Sequence, residues 1–210
     1  MSSREQKTIV AAFDFDGTLT RHDTLWPFLL HVAGPWRLLW NTLPLLPTLS
    51  GYLLGWVSNS VAKERVFYRF LHGMPEQRLQ ALAGEFAHRR IPGMVSPAAL
   101  RRLAWHRRQG HRCVVISASI EDYVAPWARQ AGFDAVLATR LQRGADARLT
   151  GCYDGENCYG AEKIRRLQSL LGERAGYDLY AYGDSRGDRE LLALADHAYY
   201  KRMPEESDAG

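Results

Sequence analysis

Three short stretches of this sequence carry a pair of carboxylate or hydroxyl side chains directly at the end of an apolar run. The pairs are, in chain order, Asp14 with Asp16, Ser117 with Ser119, and Asp184 with Asp188. Lys163 adds a cation at the start of a helical stretch that precedes the third pair. Each feature alone is common in turns and helix caps, but their joint placement at strand ends predicts one site.

The apolar runs predict buried strands. They cover residues 8–15, 112–118, 134–139 and 179–182, and they alternate with helical patterns over residues 97–109, 120–131 and 161–171. Strands that alternate with helices of this length indicate βαβ units and a parallel sheet covered on both faces. The predicted fold class is therefore α/β with a doubly wound parallel sheet, beside which residues 148–155 resemble a small hairpin.

One region interrupts the alternation of strands and helices. Between the first and second strands the sequence has only helical patterns, over residues 25–33, 36–57, 61–71 and 76–89. We interpret residues 21–95 as an inserted all-helical cap over the carboxyl ends of the strands, where doubly wound folds bind their ligands. Residues 1–20 and 96–210 then form the core domain.

These residue types suit chemistry on a phosphate ester. A phosphomonoester is a dianion that repels a carboxylate nucleophile unless positive charge offsets the field, and Mg²⁺ prefers hard oxygen ligands. Asp14 and Asp184 can supply carboxylate oxygens to the ion, and a backbone carbonyl near Asp16 can supply another. Lys163 adds a point charge on the phosphate, and Ser117 with the amides that follow it, such as that of Ala118, can donate hydrogen bonds.

The two carboxylates of the first pair are expected to differ in role. We expect Asp14 to attack phosphorus as the nucleophile. In a crowded anionic site a second carboxyl is pushed towards its neutral form. Asp16 can then protonate the leaving alcohol and later deprotonate the attacking water.

Four segments of the chain resemble the motifs of the haloacid dehalogenase superfamily. Residues 13–20, FDFDGTLT, are similar to its nucleophile loop, Ser117 to its second motif, Lys163 to its third, and residues 183–188, GDSRGD, to its fourth. The resemblance implies a Rossmann-like core, a helical cap, Mg²⁺ and an aspartyl-phosphate intermediate on Asp14. It also implies a phosphate contact for Thr18 and supporting roles for Gly17 and Asp188. The dehalogenase members lack the second aspartate, so Asp16 favours phosphate chemistry.

Within that superfamily the chain looks like the phosphoserine phosphatase branch. The segment 149–163 is similar to the part that joins the second and third motifs, and Asp23 and Arg65 match cap positions that hold the substrate's ammonium and carboxylate groups. The predicted substrate is a small phosphorylated metabolite of a phosphoserine-like kind. The apolar cap also resembles bacterial phosphatidylglycerophosphatases of the C type, which makes a lipid phosphatase an alternative. A phosphotransferase and a non-catalytic phospholigand-binding relative stay open as well.

The apolar segment 36–57 separates the two substrate hypotheses. Prolines and glycines interrupt it, which is untypical of a membrane-spanning helix. We expect its large residues to be mostly buried, within the cap or in a homodimer, and we favour membrane contact less. Those residues are Trp36, Leu38, Leu39, Trp40, Leu45, Leu46, Leu53, Leu54 and Trp56.

Net charge, cysteine spacing and the N-terminal residues indicate which partners and which compartment to expect. The formal net charge is +4 and no nucleic-acid-binding motif accompanies it, so we expect no nucleic-acid partner. The 3 cysteines have no metal or disulfide spacing. Met1–Lys7 lacks the layout of a secretory signal. We therefore expect a cytoplasmic protein, with a peripheral position on the inner membrane as the alternative.

Overall fold

The predicted strands form one parallel sheet in the computed structural model, which describes residues 7–204. Its strands are β1 (Thr8–Phe13), β2 (Arg112–Ile120), β3 (Ala135–Thr139), β6 (Tyr177–Gly183) and β7 (His197–Tyr200), in the spatial order β3-β2-β1-β6-β7. Every neighbouring pair is parallel. The predicted α/β fold class is confirmed, and β7 is a strand that the sequence pattern did not indicate.

Side chains of the central strands alternate between two apolar layers. In β1, Ala11 and Phe13 face the larger cluster, whereas Val10 and Ala12 face the smaller one. The same period of two holds in β2, where Cys113 and Val115 lie on one side of the sheet. Because both faces are covered, the central residues of these strands are apolar on both sides of the sheet and not alternately polar, as is typical of parallel sheets.

Helices cover the sheet, three of them where the sequence predicts them, whereas the fourth, α9, was not predicted. The core helices are α6 (Pro97–Arg108), α7 (Glu121–Ala131), α8 (Ala161–Leu171) and the short α9 (Arg189–Leu194). Ser96 occupies the N-cap position of α6 with Pro97 as the first helical residue, and Gly132 ends α7 in a left-handed conformation. Such a glycine is favoured there because it has no Cβ to clash in that conformation.

The cap consists of helices only. They are α1 (Leu25–Thr42), α2 (Leu46–Leu53), α3 (Asn59–Leu71), α4 (Glu76–Arg89) and the single turn α5 (Ile91–Met94). Non-helical dihedrals at Gly34 (φ 74°, ψ 168°), followed by Pro35, kink α1. A turn of 3₁₀-helix, Leu43–Leu45, connects α1 to α2.

The two chain segments that link core and cap run side by side. Thr20 and Val95 form an antiparallel bridge, and Arg21 N donates to Met94 O at 2.9 Å. Ser96 N likewise donates to Leu19 O at 2.9 Å. The two connections between the helical region and the sheet therefore lie side by side, and the division at residues 20 and 96 into cap and core stays a prediction. Residues 1–6 and 205–210 of the predicted core domain lie outside the described residues.

A two-stranded antiparallel hairpin supports the cap from the core side. It pairs β4 (Leu141–Arg143) with β5 (Leu149–Tyr153), so it begins earlier in the sequence than the predicted 148–155. Gly73 N donates to Leu149 O at 2.8 Å. Gly151 lies so close to α3 that a Cβ there would be 2.5 Å from the Cα of Tyr68. The hairpin and the cap thus pack directly against each other.

The apolar cap segment differs from its prediction. Within this chain most of its large residues are exposed: Trp36, Leu39, Trp40, Leu46, Leu53, Leu54 and Trp56. Leu45 is buried, and Leu38 is partly buried against the core cluster. Burial within the cap is therefore wrong for the exposed seven, because the kinked α1 and the short α2 present one side only to α3 and the core. No helix in residues 7–204 is both long and apolar enough to cross a membrane.

Candidate active site

The predicted polar residues meet at the carboxyl edge of the three central strands. Asp14 follows β1, Ser117 lies in β2, and Asp184 follows β6, and these strands are direct neighbours in the sheet. All three side chains line a cleft of about 410 Å³ between this edge and the cap. The parallel register explains the meeting, because all strands of such a sheet end at the same edge.

A buried lysine connects two carboxylates at the bottom of the cleft. Lys163 Nζ donates to Asp14 Oδ1 at 2.6 Å and to Asp188 Oδ1 at 2.5 Å. All three side chains are buried, with 2 % of the Lys163 side chain exposed. Helix α8 carries Lys163 in its first turn, which places the ammonium beside the strand ends.

Burial and charge act in opposite directions on this group. Burial raises the pKa of Asp14 to about 7, against the lowering effect of the Lys163 ammonium. For Lys163, burial works to lower the pKa, but the carboxylates of Asp14 and Asp188 outweigh it and keep the pKa above its usual value. Asp14 therefore needs neighbouring positive charge to stand ready as an anion at neutral pH.

Asp188 holds Lys163 and the fourth-motif loop in place. Its second oxygen, Oδ2, accepts hydrogen bonds from Ser185 Oγ at 2.7 Å and from the amides of Ser185 and Asp184 at 3.0 and 3.2 Å. Gly183 permits this approach, since a Cβ there would lie 2.5 Å from the Cβ of Asp188. These contacts suit a residue that orients Lys163, and the supporting role of Asp188 stays a prediction.

Three carboxylates form a cluster suited to a hard cation. One oxygen each of Asp14, Asp184 and Asp188 lies within 4.8 Å of the others. Asp188 already bonds Lys163 and its own loop, so Asp14 and Asp184 are the better candidates to hold an ion. Burial and the neighbouring Asp188 charge raise the pKa of Asp184. An all-oxygen donor set of this kind fits Mg²⁺.

Gly17 makes the approach of Asp184 to the nucleophile loop possible. Its φ is +75°, and a Cβ at this position would lie 2.2 Å from Asp184 Oδ2. No other residue type has both the conformational freedom and the space. The supporting role of Gly17 stays a prediction, and this close approach is what any larger residue there would disturb.

Asp16 lines the cleft and connects the nucleophile loop to the cap. Its Oδ1 accepts from the Thr24 amide at 2.8 Å and from Thr24 Oγ1 at 2.6 Å, and its Oδ2 accepts from Ser119 Oγ. Thr24 immediately precedes α1. The orientation of this carboxyl therefore depends on the position of the first cap helix.

The residues predicted to contact phosphate fall into two positions. Ser117 is buried, lines the cleft, and accepts a hydrogen bond at Oγ from Ser119 N at 3.0 Å. Ala118 also lines the cleft. Thr18 lies on the other side of its loop, in a second cavity of about 450 Å³, with Oγ1 donating to Asp184 Oδ1 at 3.4 Å.

Of the two predicted substrate residues, one lines the cleft and the other lies outside its lining. Asp23 lines it, and Asp23 Oδ1 accepts from Leu25 N at 2.8 Å. Arg65 is exposed, and its guanidinium donates to Thr48 Oγ1 at 2.9 Å on α2. Lys63 lines the cleft instead, with Nζ donating to Ala118 O at 3.3 Å. The role of Arg65 stays a prediction.

Sequence reasoning missed several residues of the cleft wall. They are Arg21, His22, Tyr52, Asn59, Lys63, Tyr159 and Arg186. The arginines and Lys63 add positive charge to a wall that also carries the exposed Asp23. The sequence held no signal that Lys63 faces the cleft, because residues two apart on a helix face different sides and the motif match pointed to Arg65.

A buried asparagine links core and cap beside the cleft. Asn157 Nδ2 donates to Asn59 Oδ1 at 3.1 Å and to Ser60 Oγ at 3.2 Å at the start of α3. On its other side Asn157 Oδ1 accepts from Thr139 Oγ1 at 2.9 Å. This contact fixes the cap helix that carries Lys63 over the core.

Comparison with known proteins identifies the family. Residues 11–193 match the family model of the haloacid dehalogenase-like hydrolases. The chain belongs to this family. It is 36% identical to Protein CicA of Caulobacter vibrioides, over 92% of this chain and 86% of that protein. Its identity to a histidinol-phosphatase of Neisseria meningitidis is 32%, over 57% of this chain and 56% of that protein.

A solved phosphoserine phosphatase shares the fold of this haloacid dehalogenase-like hydrolase. A substrate-bound phosphoserine phosphatase complex superposes with a TM-score of 0.60 at 18% identity, over 91% of this chain and 84% of that one. The resemblance found in the sequence is confirmed at the level of family and fold. The chain is accordingly a hydrolase with a Rossmann-like core.

Proposed function

We propose that this chain is a Mg²⁺-dependent phosphatase that hydrolyses a phosphomonoester through an aspartyl-phosphate on Asp14. The observation that supports this most is the buried contact of Lys163 with Asp14 and Asp188, beside Asp184, at the bottom of a cleft whose wall carries Arg21, Lys63 and Arg186. A dianionic phosphate needs such charge to approach a carboxylate. Mg²⁺, held by Asp14, Asp184 and a backbone carbonyl near Asp16, would supply further positive charge to offset that repulsion.

In the first half of the proposed reaction, an Asp14 carboxylate oxygen bonds to phosphorus while the bond from phosphorus to the ester oxygen breaks. The leaving oxygen takes a proton from Asp16. Lys163, from the first turn of α8, and Ser117, from β2, stabilise the charge that develops on the phosphoryl oxygens, because both are already in place beside Asp14.

In the second half, Asp16 takes a proton from water, and the water oxygen bonds to phosphorus while the bond to Asp14 breaks. The products are inorganic phosphate and the free Asp14 carboxylate. One group thus serves first as acid and then as base. The hydrogen bonds from Thr24 make this dependent on the cap helix α1. The cap, residues 21–95, would therefore both cover the cleft and orient Asp16.

The proposed substrate is a small phosphorylated metabolite with a further charged group. Asp23 and Lys63 lie on the wall of the cleft with opposite charges, which suits a substrate that carries both an ammonium and a carboxylate, as phosphoserine does. The name of the relative histidinol-phosphatase supports the same class, an amine-bearing phosphomonoester. Phosphotransfer to an alcohol differs only in the acceptor of the second half-reaction.

Chelation tests the metal requirement. Protein treated with EDTA and then desalted is expected to lose phosphate release from p-nitrophenyl phosphate, and to regain it with Mg²⁺, because oxygen donors bind hard cations. Release of inorganic phosphate in a panel of phosphomonoesters also separates hydrolysis from phosphotransfer and from mere ligand binding. Full activity in the exhaustively chelated protein would refute the role of the ion.

Substitutions at two cap positions test how the substrate is recognised. Lys63→Met should raise KM for phosphoserine at least ~10-fold, since a hydrogen bond to a charged group contributes ~1.5–3 kcal/mol. It should change KM for p-nitrophenyl phosphate much less. Arg65→Met is the matched variant, two residues along the same helix, and its KM values should stay near those of the unsubstituted protein. If Arg65→Met alone raises KM for phosphoserine, the sequence assignment is correct and Lys63 is not the recognition residue.

A lipid phosphomonoester is the second candidate substrate. The observation that favours it is the run of exposed tryptophan and leucine residues on α1 and α2, since Tyr52 of α2 also lines the cleft. The same substrate panel, extended to a phosphatidylglycerophosphate in detergent micelles, distinguishes the candidates. Preference for the lipid over every soluble ester would make the lipid, and not the soluble metabolite, the first candidate substrate.

A further inference from the structure

The cap carries an apolar face that is open to solvent. Large apolar residues recur with helical spacing along the second half of α1 and into α2, and continue just past the end of α2. They are Trp36, Leu39, Trp40, Leu43, Leu46, Leu53, Leu54 and Trp56. We call this set the apolar face. On the opposite side of the same helices Leu38, Leu45 and Leu49 pack against the core cluster.

The apolar face is large for the surface of a monomeric protein. Trp36, Trp40 and Trp56 are 75%, 67% and 82% exposed. With roughly 150–250 Å² per tryptophan, these three alone expose on the order of 400 Å². The largest apolar patch of a typical monomer is roughly 300–600 Å² and is often an interaction site. Five leucines add to this area, which places the face at or above the upper end of that range.

Charge narrows the choice of partner. Between Asp23 and Glu64 the sequence contains no acidic residue, so the face lacks negative charge. The charged residues of that interval are Arg37, which is exposed beside Trp36, and Lys63 at the cleft. Arg65 lies exposed against α2. An apolar surface with positive charge alone is complementary to an anionic one.

The face is continuous with the cleft. Tyr52 in α2 lines the cleft, and the next two residues, Leu53 and Leu54, belong to the apolar face. Arg21 and Arg186 lie exposed in the cleft wall. A flat anionic surface that covers the apolar face would therefore lie beside the mouth of the cleft.

We propose that the apolar face docks the protein on an anionic lipid bilayer, with its three tryptophans at the level of the headgroups. Tryptophan and leucine on one side of a helix, with basic residues nearby, are typical of segments that lie in the membrane interface. The inference rests on the exposed surface and its charge, and it does not depend on the proposed phosphatase reaction.

A second copy of the chain fits the same face less well. In a twofold dimer the same patch meets itself, so Arg37 of each copy would approach a surface that has no acidic residue to pair with it. An anionic bilayer supplies the missing negative charge. A bilayer can also bind an elongated, kinked face, because its surface adapts and needs no complementary shape.

Sedimentation with vesicles tests the proposal on the full chain. The protein is mixed with sucrose-loaded vesicles of equimolar phosphatidylglycerol and phosphatidylcholine, and with vesicles of phosphatidylcholine alone. The Trp36→Ala/Trp40→Ala variant is compared with a control, Leu100→Ala/Tyr200→Ala, which removes two exposed apolar side chains elsewhere (43% and 56% exposed). The partition onto anionic vesicles should fall at least ~10-fold in the first variant and stay unchanged in the control, because the lost apolar area lies in the face.

Three results would overturn the proposal. One is absence of binding to the anionic vesicles, and another is equal binding to the neutral ones. The third is a protein that sediments as a dimer without lipid and becomes monomeric in Trp36→Ala/Trp40→Ala, which would identify a second copy as the occupant. Circular dichroism of both variants establishes that they are folded before binding is compared.

Discussion

Asp14→Asn is expected to abolish phosphate release while the protein stays folded. The change is nearly isosteric, but an amide does not form the covalent bond to phosphorus. Loss of that pathway should reduce turnover at least ~10³-fold, which corresponds to ~4 kcal/mol of barrier. Initial rates with p-nitrophenyl phosphate at saturating Mg²⁺ measure the effect.

Two features make the Asp14→Asn result interpretable. Lys163 keeps its contact with Asp188 at 2.5 Å, so the buried ammonium is not left without a carboxylate. Asp178→Asn is the matched control, because it makes the same chemical change at a half-exposed position at the start of β6, remote from the cleft lining. The control should retain normal turnover, and near-normal turnover in folded Asp14→Asn would refute the mechanism.

Lys163→Met is expected to damage both activity and stability. Without the ammonium, the buried carboxylates of Asp14 and Asp188 face each other without compensation. Removal of one partner from a buried charge pair costs about 3–5 kcal/mol of unfolding free energy. Turnover should fall at least ~10²-fold, since a preorganised donor to the phosphoryl group is lost.

A surface lysine provides the comparison for Lys163→Met. Lys7 pairs with Asp178 at 3.6 Å, and both side chains are about half exposed. Lys7→Met should lower the unfolding free energy by less than about 1 kcal/mol. Urea unfolding of both variants without Mg²⁺ measures the difference. Similar small losses in the two variants would mean that the buried contact contributes little to the fold.

The sheet, and the polar residues at the carboxyl ends of its strands, could be predicted from the sequence. A strand that is buried on both faces must be apolar, so its polar residues lie at its ends. This constraint alone is enough to group Asp14, Ser117 and Asp184 at one edge of the sheet. The edge strand β7 could not be predicted in the same way. Its four residues, HAYY, are too short to show a period.

In the cap, the sequence pattern predicts which residues are apolar but not what covers them. A run rich in tryptophan and leucine indicates that side chains avoid water, but it does not say which partner covers them. The expectation of burial within the cap failed for this reason. The motif match selected Arg65 as a substrate residue. Which side chain of α3 points into the cleft depends on the rotation of the helix about its axis, and in the structure Lys63 lines the cleft while Arg65 contacts Thr48.

Detection of the phospho-enzyme tests the central claim most directly. The protein is mixed with Mg²⁺ and a rapidly cleaved phosphomonoester, quenched in acid within the first turnover, and digested for mass spectrometry of the peptide that contains Asp14. We expect one added phosphoryl group on Asp14 in the unsubstituted protein and none in Asp14→Asn. Phosphate release without any phosphorylated Asp14 peptide, under conditions that preserve acyl phosphates, would contradict the account.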